Sequence, residues 1–227
     1  MFVRQLFDRE TSTYTYLIAD EKSNEAAIID PVKEQFERDV LLIKQLGFNL
    51  KYILETHVHA DHITSSGKLR NEFSAKVVMH ENSGATCADC LIKDNDVLNL
   101  GKLELKALYT PGHTNADLSF AVENYVFTGD ALLVRDCGRT DFQAGDSVIL
   151  YKSIHEKIFS LDDATTIYPG HDYYGFTAST VKEEKQFNNR LGNAKTEDEF
   201  VEIMANLDLA LPKRINESVP GNINCGL

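Results

Sequence analysis

Between His57 and His62 the chain places three imidazoles and one carboxylate, in the run Thr56-His57-Val58-His59-Ala60-Asp61-His62. Histidine and aspartate are seldom buried without partners, and this run lacks the apolar alternation that would let it pack as core. A divalent metal ion supplies the missing partner, because imidazole nitrogens and carboxylate oxygens are its donors. If the chain leaves a strand in extended form, His57 and His59 point the same way, while Asp61 and His62 enter the turn before a helix. One short loop then offers two ligand pairs. The bland alternative is a His-rich surface loop, and a lone His-x-His would not rise above it.

Similar residues recur downstream. Pro111-Gly112-His113-Thr114, Phe127-Thr128-Gly129-Asp130 and Tyr168-Pro169-Gly170-His171-Asp172 each close a strand-like apolar run with a turn bearing His or Asp. Donors of one chemical kind at the ends of several predicted strands argue for a single shared site. His80, after Val77-Val78-Met79, falls outside this spacing and is expected at the surface or in a layer behind the ligands.

The elements that must position these residues are legible from periodicity. Residues 2–7, 14–19 and 26–30 read as three antiparallel strands between polar turns. Val32, Phe36, Val40, Leu41, Ile43 and Leu46 recur at helical spacing, and Gly47 stands where a C-terminal cap belongs. Residues 51–55 form the strand that delivers the His loop, and a helix is expected over 62–73. Strands follow at 77–79, 103–109, 118–122, 125–128 and 165–168. Helices are expected at 148–161, where His155 has charged neighbours and should be solvated, and at 179–191 and 197–207. Periodicity alone gives a layered α/β protein.

An excess of 35 acidic over 23 basic side chains, for a net charge of −12, disfavours a nucleic-acid partner, since affinity for phosphate backbones comes from clustered Lys and Arg. No apolar run approaches the ~20 residues that a membrane span needs, and the N-terminal residues lack a signal-peptide core. The expectation is one cytoplasmic domain over residues 1–227 with a short helical C-terminal extension. Neither a monomer nor a homodimer is selected. Of the four cysteines, Cys87 and Cys90 form an isolated C-x-x-C, read as two incidental thiols, and structural disulfides are not expected in a cytosolic chain.

The pattern His-x-His-x-Asp-His followed by separate His, Asp and His resembles the metallo-β-lactamase superfamily. That resemblance implies an αββα sandwich, two mixed sheets flanked by helices. Within the superfamily one ligand set serves two chemistries. In two-zinc hydrolases of the glyoxalase II kind, His57, His59 and His113 would hold one ion, Asp61, His62 and His171 the other, and Asp130 would bridge them. A hydroxide held between the ions would then attack a thioester such as a hydroxyacylglutathione.

Finer segments resemble the persulfide dioxygenases, and the likeness runs from about residue 2 to the Val219-Pro220 tail. They include Gln5-Leu6-Phe7-Asp8, His59-Ala60-Asp61-His62-Ile63-Thr64, Thr128-Gly129-Asp130-Ala131-Leu132-Leu133-Val134-Arg135 and, most discriminating, Cys137-Gly138-Arg139-Thr140-Asp141-Phe142-Gln143. The resemblance implies one Fe(II) per chain, held by His57, His113 and Asp130, and oxidation of glutathione persulfide by O2 to sulfite and glutathione. Two His and one carboxylate on one face leave positions for O2 and a sulfur side by side. His59, Asp61, His62 and His171 would orient the ligands, with His171 and Tyr173 close enough to take part in catalysis. An anionic substrate on an acidic protein requires local positive charge. Arg139 is the leading candidate, with Tyr173 beside it and Lys213 and Arg214 behind it. Against the hydrolase, the stretch after His171 is short for a helical glutathione-binding region.

Overall fold

The structure, a computed structural model, describes residues 1–210, 212 and 214–227. Strands β1 (Phe2–Asp8), β2 (Thr13–Asp20), β3 (Glu25–Ile29), β4 (Asn49–Leu54), β5 (Lys76–His80) and β6 (Cys90–Ile92) form one sheet in sequence order. The first three are antiparallel, as expected, and β3 to β6 run parallel. Strands β7 (Val97–Leu100), β8 (Leu103–Tyr109), β9 (Leu118–Val122), β10 (Tyr125–Gly129), β11 (Thr166–Pro169) and β12 (Ser179–Thr180) form the second, ordered β12-β11-β10-β9-β8-β7. Its β10–β11 pair is parallel and the others are antiparallel.

Side-chain alternation shows why two sheets stack. In β2 and β3, Tyr16, Ile18, Ala27 and Ile29 face the core between the sheets, where Phe120 and Phe127 of the other sheet also lie. Leu17, Ala19, Ala26 and Ile28 face outward and are equally buried. A strand covered on both faces reads as a continuous apolar run, which is the character of these segments. The outer cover of the first sheet is α1 (Phe36–Leu46), α2 (Ser66–Phe73) and α6 (Ile215–Ile223). The second is covered by α3 (Ser147–Ser153), α4 (Val181–Phe187) and α5 (Glu197–Ala205). These layers are the expected αββα sandwich.

Several local expectations are corrected. The helix after the His loop starts at Ser66, not near His62, because the Thr64 and Ser66 hydroxyls turn inward to Glu55. The segment expected as one helix at 148–161 is α3 followed by a wider π-type turn over Ile154–Ile158. His155 is half-buried and stacked on Tyr151 at 3.9 Å rather than solvated. Of the two places expected for His80 the surface is excluded: it is buried, its ring parallel to that of Tyr109 at 4.2 Å. The thiols at 87 and 90 are not both free: Cys87 is bridged to Cys225, 138 positions away, whereas Cys90 and Cys137 are free. Helix α6 folds back across the first sheet and brings Cys225 to Cys87, a proximity that spacing cannot reveal.

Candidate metal centre

Every candidate ligand leaves the C-terminal end of a strand. His57, His59, Asp61 and His62 follow β4, His113 follows β8, Asp130 ends β10 and His171 ends β11. The two sheets present these ends at one edge, so residues 114 positions apart meet. Nε2 of His57 and of His113 lie 4.0 and 3.7 Å from Asp130 Oδ2, and donor atoms of the three residues are within 4.8 Å of one another.

Tautomers follow from the partners on the far side of each ring. His113 Nδ1 lies 2.7 Å from the Arg139 carbonyl oxygen, which can only accept, so Nδ1 carries the proton and Nε2 offers its lone pair. For His57 the chain is longer: Nδ1 donates to Thr56 Oγ1 at 3.0 Å, and that hydroxyl donates to Asp30 Oδ2 at 2.8 Å. Burial, together with His59 and His113 nearby, holds His57 well below the usual imidazole range and therefore neutral. Asp130 Oδ1 is buried with no hydrogen-bond partner among the described residues. Two free Nε2 lone pairs and an unpartnered carboxylate oxygen are what a cation would fill.

Two glycines make this convergence possible. A Cβ on Gly170 would meet Asp130 Oδ1 at 2.6 Å, and one on Gly138 would meet the Asp130 carbonyl oxygen at 2.4 Å and His113 Nδ1 at 2.8 Å. Pro169-Gly170-His171 and Cys137-Gly138-Arg139 are therefore packed directly against Asp130 and His113. Gln143 extends the cover, donating from Nε2 to the Val58 carbonyl oxygen between His57 and His59 at 2.7 Å.

The other predicted residues surround the triad. His171 Nδ1 lies 3.2 Å from the Ser12 carbonyl oxygen, and Nε2 faces Asp130 Oδ2 at 3.4 Å and Asp61 Oδ2 at 3.6 Å. Asp61 also accepts from Thr13 Oγ1 and pairs with His62 Nδ1 at 3.0 Å. Despite its desolvation, His62 and His171 hold its carboxyl well below the usual range. His59 directs Nε2 to Asp30 at 3.1 Å and Glu55 at 3.2 Å, and these two buried carboxylates overcome desolvation to raise it well above the ordinary imidazole value. His59, Asp61 and His62 form a group of their own, as do Asp30, Glu55 and His59. Among the described residues the two-ion groupings, His57–His59–His113 and Asp61–His62–His171, are not found within that distance.

A cleft of about 440 Å³ opens over the triad, lined by Tyr173, Tyr174, Arg139, Arg190 and Leu209 among others. Tyr173 is 66% exposed, with its ring parallel to that of His171 at 6.1 Å. Desolvation and the carboxylates of Asp130 and Asp61 push its hydroxyl up, so it stays a donor. Arg139 lines the cleft but is already paired: it holds Asp141 through two 2.7 Å bonds, donates to the Ala210 carbonyl oxygen and lies 4.1 Å from the Phe142 ring. Arg190 is paired with Asp136. Arg214 binds Glu34, and Lys213 lies outside the described residues. Asp30, Glu55 and Thr13, which contact the candidate ligands, were not singled out from the sequence. Asp30 closes its strand just as Asp130 does, and that signal was available.

Comparison with known proteins identifies the family. The profile of the metallo-beta-lactamase superfamily matches residues 8–171. The human protein named persulfide dioxygenase ETHE1, mitochondrial, is 48% identical over 230 aligned positions, covering 100% of this chain and 89% of its own. The crystal structure of ETHE1 from Myxococcus xanthus superposes with a TM-score of 0.97 at 49% identity, covering 100% of both chains. Glyoxylase B2 of Dictyostelium discoideum is more distant, 28% identical over 96% of this chain and 88% of its own. No helix among the described residues is long and apolar enough to cross a membrane. The chain belongs to the persulfide dioxygenase family of the metallo-β-lactamase superfamily.

Proposed function

We propose that the chain oxidises glutathione persulfide at a single Fe(II) held by His57, His113 and Asp130. The overall reaction joins a persulfide, O2 and water to give a thiol and sulfite, the outer sulfur being oxidised and O2 reduced. The carrying observation is the convergence of two Nε2 lone pairs and one carboxylate, with each ring's Nδ1 tied back to an acceptor. Two imidazoles and one carboxylate suit Fe(II), which when bound would supply redox chemistry and open positions for small ligands.

The chain's own residues do the rest. Asp30, acting through Thr56, and the Arg139 carbonyl fix the two rings. His171 sits between Asp130 and Asp61 and restrains both carboxylates from one side. The Tyr173 hydroxyl stands at the cleft as a donor toward an anionic sulfur. The cleft volume lies within the usual range for small-molecule sites. Arg139 closes one wall by joining the 139–143 segment to residues 209 and 210.

Protein reconstituted anaerobically with iron should consume O2 when given glutathione persulfide and form sulfite. Zinc-loaded protein should cleave lactoylglutathione poorly. Strong thioester turnover without persulfide-dependent O2 uptake would reverse the assignment to the two-zinc hydrolase.

A further inference from the structure

Helix α6 contributes no residue to the lining of the cleft, and one of its side chains bonds to the His loop. Asn222 is buried, and its carboxamide makes three hydrogen bonds to three backbone groups of that loop. Nδ2 donates one hydrogen to the His59 carbonyl oxygen and the other to the His62 carbonyl oxygen, each at 2.8 Å. Oδ1 accepts from the Thr64 N–H at 2.9 Å. The amide orientation is forced, because an N–H faces one end and two carbonyl oxygens face the other. Both amide hydrogens and an oxygen lone pair are used.

The two carbonyls bracket the turn that carries Asp61 and His62. A loop of this kind has no strand partner to satisfy its backbone, and a buried carbonyl without a donor is costly. The backbone bond from Gly67 N to Cys225 O and the bridge from Cys225 to Cys87 anchor the same end of α6. We infer that Asn222 is a positioning residue for the metal loop: its carboxamide fixes the turn from His59 to His62 and thereby the placement of His57, Asp61 and His62 around the ion. This rests on the reading of His57, His113 and Asp130 as the metal site, but not on the reaction run there.

No other side chain fits the role. Asp would keep the acceptor for Thr64 but turn a carboxylate oxygen toward two carbonyls. Gln keeps all three groups but is longer by one methylene. Ser218 on the same helix is buried and its hydroxyl has no partner among the described residues, so Ser218→Ala alters the same face of α6 without removing a hydrogen bond to the loop.

The test compares Asn222→Asp, Asn222→Gln and Ser218→Ala with the natural protein. It uses the visible spectrum of the cobalt-substituted form, iron affinity by chelator competition, and thermal unfolding of the metal-free form. Metal measurements are made well below the unfolding midpoint of each variant. Both Asn222 variants should shift the cobalt bands and weaken iron binding ~10- to 100-fold, while Ser218→Ala leaves both unchanged. If only one Asn222 variant folds, it suffices. A folded Asn222 variant with the natural cobalt spectrum and iron affinity, whatever its midpoint, would reduce Asn222 to a structural role and overturn the inference. Absence of persulfide-dependent O2 uptake in the natural protein would overturn the dioxygenase assignment instead, leaving the cobalt result to stand.

Discussion

His59 Nε2 lies 3.1 Å from Asp30 Oδ1, and the same carboxylate accepts from the Thr56 N–H at 2.7 Å and the Thr56 hydroxyl at 2.8 Å. Asp30 therefore stands behind both histidines of the His-x-His pair, directly for His59 and through Thr56 for His57. A carboxylate behind a ligating imidazole fixes its ring and tautomer. Asp30→Ala should weaken iron binding ~10- to 100-fold, measured by competition with a chelator. Unchanged affinity would show that Thr56 alone orients His57.

The triad and its surroundings should separate on mutation. His57→Ala, His113→Ala and Asp130→Ala should each abolish bound iron, because each removes one of three protein donors. His59→Ala and His62→Ala should leave most of the metal and lower turnover ~10- to 100-fold. Metal analysis beside oxygen-electrode rates decides. Full iron content in any triad variant would break the ligand assignment.

Arg139 is expected to act on substrate binding through the wall it builds. Its guanidinium is shared between Asp141, the carbonyls of Leu209 and Ala210, and the Phe142 face, and a Lys cannot reproduce that fork. Both Arg139→Ala and Arg139→Lys should raise KM for glutathione persulfide more than they lower iron content, since the contact to His113 is made by the backbone carbonyl at 139. Steady-state kinetics with metal analysis checks this. A natural KM with lost metal would make the residue a support of the ligands.

The Cys87–Cys225 bridge closes a loop spanning 138 positions and ties α6 to the first sheet. Reduction, or Cys87→Ser, should cost about 2–4 kcal/mol of stability, read from denaturant unfolding with and without reductant. Indifference to reductant would mean that the two sulfurs are not joined in solution.

Asp39 is buried in α1, and desolvation, opposed by Arg38, pushes its carboxyl from 3.8 up to about 6. A carboxyl that binds its proton more tightly in the fold favours the folded state when protonated. Its contribution is therefore lost as pH rises from about 4 to about 6. Asp39→Asn should be more stable than the natural protein above pH 6, by on the order of 3 kcal/mol, and equal to it near pH 4. Urea unfolding across that interval tests it, and a difference independent of pH would remove burial as the cause.

By itself the sequence determined the candidate ligands proposed here and most of the strands. His57, His113 and Asp130 stand at strand ends where an apolar run meets a polar turn, and such local patterns survive without tertiary information. Strands β8 and β9 were legible for the same reason. Only tertiary structure decided the rest. Helix α6 was missed because Pro220 and Gly221 argue locally against a helix, whereas packing of Val219 and Ile223 on the first sheet outweighs that preference. The pairing of Asp30 with His59, the bridge from Cys87 to Cys225 and the reach of Asn222 into the His loop join residues 29, 138 and 163 positions apart. Distances of that kind depend on how the two sheets stack and where the helices fold back, which no local spacing encodes.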